Sequence, residues 1–158
     1  MSFLIVLAIV AAALFVTVYI TKRRLGVLGL ALAAGAILSS LWVGDLTPLV
    51  AQAGIEIIRP PLSSVVATVV TLLPAVILLF GGPSYKASWQ RMIGSLAFAV
   101  LAIVLLLEPI GAALVVDDSG KPIDEFLHQY QNIFITAGLS LAVIDLLLTR
   151  NPRGHREH

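Results

Sequence analysis

Thr21-Lys22-Arg23-Arg24-Leu25 sets three consecutive cations between two apolar runs, Ser2 to Thr21 and Leu25 to Val43. Each run is long enough to cross a bilayer as a helix, which takes about 20 apolar residues. If both cross, the cations between them stay on the cytoplasmic side, because short basic loops resist translocation. The rest of the topology is counted from that point.

Composition agrees with this reading. Of 158 residues 59% are apolar and only 12% charged, with a mean hydropathy of +1.02. An ordinary soluble domain carries roughly a quarter charged residues. The pattern predicts an all-α membrane protein. The first run lacks a basic n-region and leads into cations instead of a small-residue cleavage site, so it reads as a retained helix. No cysteine is present, which excludes disulfides, thiolate metal sites and a cysteine nucleophile.

Taken in order, spanning helices are expected over about residues 2–21, 25–43, 62–80, 92–107 and 122–149. The second carries small residues, Gly26, Gly29, Ala33, Gly35 and Ser39, which let helix backbones approach closely. Packing against helix one or four, or a dimer contact, would each use such a face. Thr47-Pro48 has the form of a helix start. With Gln52, Glu56 and Arg59 on one face, residues 48–58 read as a short amphipathic helix in the outer interface, ended by Pro60-Pro61.

The third helix contains Pro74, which frees the carbonyl of Val70; Thr71 is placed to help satisfy it. That predicts a kink, either structural or a gate of the kind transporters use. Gly81-Gly82-Pro83 closes the helix. Lys86, Trp89 and Arg91 then anchor an inner loop. Beyond Glu108-Pro109, Ala112 to Ile123 reads as an acidic outer turn or small hairpin. The last helix, about 28 residues or about 42 Å at about 1.5 Å each, should stand above the bilayer by its first two turns. Residues 1–149 thus form one bundle, and 150–158 a basic cytoplasmic tail.

Sidedness is consistent: eight of ten Lys and Arg fall on the inner side, and seven of nine Asp and Glu on the outer. The N-terminus is expected outside and the C-terminus inside.

Few residues could carry chemistry. Asp145 is the one carboxylate inside a spanning run. It lies near the inner end, within reach of Arg150, Arg91 or Arg24, so it reads either as a structural ion pair or hydrogen bond or as a proton-relay group. Glu108 at the outer end could face Arg59, or both could simply be solvated. Asp124 and His128 supply only two ligands, whereas zinc takes at least three from protein. HExxH, GxSxG and phosphate-binding glycine loops are all missing. No enzyme activity, cofactor, metal or nucleic-acid partner is expected.

Over about Thr21 to Leu107 the chain resembles the colicin V production protein family of small multi-pass inner-membrane proteins. A first helix ending in basic residues before Gly26, a Gly- and Ala-rich second helix and an amphipathic outer segment carry the resemblance. So does Arg91-Met92-Ile93-Gly94 opening the helix after the inner loop. It implies a role in export or envelope homeostasis, acting through other membrane proteins or as a homo-oligomer. A small channel or carrier using Asp145 and the Pro74 kink is the alternative.

Overall fold

The computed structural model describes residues 3–54, 57, 60–81, 84–85, 88–113 and 120–149. They form six helices: α1 (Phe3–Thr21), α2 (Leu25–Gln52), α3 (Leu62–Gly81), α4 (Ser88–Leu105), α5 (Leu107–Ala113) and α6 (Lys121–Thr149). All but α5 are long and apolar enough to cross a membrane. The protein is a multi-pass helical bundle. Helices are the solution lipid imposes on such runs, because they satisfy every backbone N–H and C=O internally.

α2 is the central helix, packed against α3, α6 and α4, while α1 packs on α4 and α5 reaches α3. The small-residue face of α2 is divided between two neighbours. Near its start, a Cβ on Gly26 would come 2.6 Å from the carbonyl oxygen of Ala142 on α6, and one on Gly29 would meet Ala142 and Leu101. Further along, a Cβ on Gly35 would overlap the carbonyl of Thr71 on α3, close to Pro74. Ser39 donates to the carbonyl of Ala67, also on α3, at 3.2 Å. Of the two expected neighbours, α4 is met at Gly29 through Leu101, while the closest approaches are to α6 and α3. Ala33 is half-buried.

The expected interfacial helix over 48–58 is not separate. α2 runs through Thr47 and Pro48 to Gln52. An N-cap residue accepts a bond from the next turn, whereas the Thr47 hydroxyl donates backwards to Val43 at 2.7 Å, as interior threonines do. Pro48 costs α2 only the bond to the Gly44 carbonyl. α2 stops where Gly54 turns to a φ of +87°. Glu56 and Arg59 lie outside the described residues.

α4 starts four residues earlier than expected, at Ser88, and ends at Leu105. Pro109 has no N–H for the carbonyl of Leu105, and its ring crowds that position. The helix breaks at Leu106 and restarts as α5 with Pro109 in its first turn. Ala112 and Ala113 are thus helical instead of the arm of a hairpin; residues 114–119 lie outside the described region. α3 stays one helix through Pro74.

Two apolar clusters hold the bundle. One joins Val18, Leu28, Leu32, Phe98, Leu101 and Ala142 at the centre. The other joins Phe3 and Leu7 of α1 to Leu106, Leu107 and Ile110, at the end away from Lys22–Arg24. α6 is the peripheral helix, with Ala142 its only fully buried residue among those described. Its exposed surface includes a polar stripe at helical spacing: Glu125, Gln129, Asn132, Thr136 and Ser140.

Candidate functional site

The polar residues of the bundle gather at its two ends. At the basic end, Lys22 takes a φ of +58° and turns the chain out of α1. A lysine tolerates that left-handed conformation poorly, at a cost of roughly 1 kcal/mol. Arg23 reaches across to the last turn of α3, where its Nε donates to the carbonyl of Leu79 at 2.7 Å and its Nη2 to that of Phe80 at 3.0 Å. A cation on the orphan carbonyls of a helix C-terminus satisfies them and complements the helix dipole. Arg23 also bridges to Ser84, and the N–H of Tyr85 donates to the Lys22 carbonyl at 2.7 Å.

Arg24 occupies the N-cap position of α2, yet its side chain makes no cap. Two residues distant in sequence supply one. The N–H of Leu25 donates to the Tyr85 hydroxyl at 3.0 Å, and the N–H of Gly26 donates to Oδ2 of Asp145 at 3.0 Å. Asp145, in the last turns of α6, thereby places its carboxylate at the positive end of α2. Arg24 sits over the Tyr85 ring at 5.3 Å. That ring rests on Gly94, where a Cβ would lie 2.6 Å from the hydroxyl. Burial, assisted by the Asp145 charge, pushes the Tyr85 phenol up to about 12. Together with apolar residues of α4 and α6, Arg24, Tyr85 and Asp145 line a cleft of about 330 Å³.

One partner of Asp145 is thus the backbone of α2. Arg91 is engaged elsewhere, its guanidinium 4.0 Å above the ring of Tyr19 on α1. Arg150 lies outside the described residues. Sequence reasoning allowed the carboxylate a hydrogen bond at this end without naming the backbone of α2 as the donor, and missed Tyr85 altogether. A lone aromatic after Gly81-Gly82-Pro83 was the available signal.

At the opposite end a second cleft of about 330 Å³ opens between α2, α3, α5 and α6. Its polar lining is Ser39, Ser40, Ser63, Ser64, Thr71, Glu108 and Gln131. The expected Glu108–Arg59 contact falls on a residue outside the described set, and Glu108 is exposed at this cleft. Thr71 is buried at its lining, one turn from Pro74. On α6, Asp124 and His128 approach to 3.7 Å. Among the described residues no three metal-ligating side chains cluster.

No family model, curated protein or solved structure matches the chain.

Proposed function

We propose that the protein is a non-enzymatic membrane scaffold that self-associates through α6, serving export or envelope homeostasis as its resemblance to the colicin V production family implies. The observation that carries this reading is the exposed stripe on α6. Thr136 satisfies its hydroxyl on the carbonyl of Asn132 at 2.7 Å, but the Asn132 carboxamide projects from an exposed position on a helix of spanning length. Facing lipid, an unpaired amide costs free energy. Asn and Gln carry both donor and acceptor, so the same stripe on a second copy is a complementary partner.

The basic end faces the cytoplasm of an inner membrane in this reading, with the N-terminus outside and the C-terminus inside. A small channel or carrier is the weaker reading. Asp145 is occupied at a helix end, and the layer between the two clefts consists of Leu28, Leu32, Phe98, Leu101 and Ala102, all buried and apolar.

The absence of native cysteine makes the test direct. Oxidative cross-linking in membranes should give a dimer from Asn132→Cys or Thr136→Cys, and none from Ile9→Cys, which is also exposed, on α1. Equal cross-linking at all three positions, or none at 132 and 136, overturns the proposal.

A further inference from the structure

The cleft at the end away from Lys22–Arg24 has a lining that the scaffold reading leaves unused. Ser39 and Ser40 have each spent their one proton on a backbone carbonyl, those of Ala67 and Ile37. Gln131 spends an amide proton on the carbonyl of Val104 at 3.4 Å. What the two serines present is therefore oxygen lone pairs, while Gln131 keeps its carbonyl oxygen and one remaining N–H. Glu108 adds a carboxylate, and Pro109 withholds an N–H from the carbonyl of Leu105, itself a lining residue. Among the described residues no Lys, Arg or His lines the cleft. Among these described residues the one formal charge is negative, which repels anions and favours a cation whose N–H donors meet the hydroxyl, amide and carboxylate oxygens.

The shape selects among cations. A bare metal ion needs six or more oxygens converging to about 2.4 Å. Here the oxygens are spread over helices around about 330 Å³. An ammonium group carries three N–H donors and is matched by acceptors at ordinary hydrogen-bond distance. Lining residues such as Val43 and Leu105 leave room for a short carbon chain behind it.

We propose that this cleft binds a primary ammonium group, with Glu108 as its counter-ion and the serine hydroxyls and Gln131 as hydrogen-bond acceptors. The ligand is either a free small amine or the headgroup of an ethanolamine phospholipid. The proposal does not depend on self-association through α6.

Ethanolamine is the probe, added to the purified full chain in nanodiscs of phosphatidylcholine. It should raise Tm by about 3 °C or more at saturation, while tetramethylammonium chloride and sodium chloride at the same ionic strength should not. Tetramethylammonium has the charge but no donor. E108Q, at an exposed position, should keep its own Tm and lose the shift; S63A and S64A should move the midpoint to several-fold higher ethanolamine. Nanodiscs containing phosphatidylethanolamine separate the two sources. If the lipid is the ligand, Tm is already raised there and added ethanolamine does little; if the free amine is the ligand, the shift persists. Equal response to ethanolamine and tetramethylammonium, no response in either lipid, or a full shift in E108Q overturns the proposal.

Discussion

The two ends of α2 treat polar groups in opposite ways. At the basic end, donors and acceptors meet inside the bundle: Arg23 covers the carbonyls that end α3, while Tyr85 and Asp145 cover the N–H groups that start α2. At the other end, Ser39 and Ser40 spend their protons on backbone and Gln131 one of its two, and all three line an open cleft. Both arrangements are built from a few polar side chains in an apolar chain. The first fastens three helices together. The second leaves unspent acceptors, which is what a binding surface requires.

The contrast breaks most visibly in the glycines of α2. Gly35→Ala puts a methyl group into the backbone of α3 at Thr71, which no rotamer change relieves. It should cost roughly 3 kcal/mol, the upper part of the range for overpacking. Gly44→Ala, nine residues on, meets nothing within 4 Å. It should be neutral or stabilise by up to about 1 kcal/mol, since alanine favours the helix. Denaturant titration in mixed micelles would compare them; similar losses at both sites would mean that α2 and α3 are not in backbone contact.

Asp145 comes next. Asp145→Ala leaves the Gly26 N–H unpaired and should cost about 1–3 kcal/mol. Asp145→Asn keeps an oxygen for that N–H and loses the charge at the positive end of α2, so about 0.3–1 kcal/mol is expected. The same titration should rank them in that order. Equal losses would mean that charge alone matters, and that the hydrogen bond contributes nothing. Removing the hydroxyl of Ser40 at the far end should change stability by less than about 0.5 kcal/mol.

A pH dependence tests the basic end from another side. A phenol whose folded value lies near 12, against an ordinary 10, stays neutral longer in the folded protein than in the unfolded chain. Its contribution is fully present below pH 10 and is lost as the pH rises toward 12. Tyr85→Phe should flatten that alkaline decline and lower stability at neutral pH by about 1 kcal/mol, through the lost acceptor for Leu25. An unchanged decline would assign the titration to another group.

Five spanning helices were legible from apolar run length alone, because in lipid a run of that length has few alternatives to a helix. Boundaries were less so. Thr47-Pro48 carries the local signature of a helix start, and only the path of α2 beside α3 shows the hydroxyl turned backwards. The break at Leu106 was likewise hidden, since Glu108-Pro109 reads equally as an ending.

By itself the sequence determined that the chain lives in a membrane, how many times it can cross, and that Lys22-Arg23-Arg24 is the hinge between its first two helices. Tertiary structure alone decided what those residues touch: Arg23 on α3, Arg24 over Tyr85, and Asp145 on the first turn of α2. The reason is physical. Partition into lipid depends on hydrophobicity summed along a segment, which order and composition supply. Capping depends on which helix ends are brought within 3 Å of which side chains, and only the packing of α2 against its neighbours sets that.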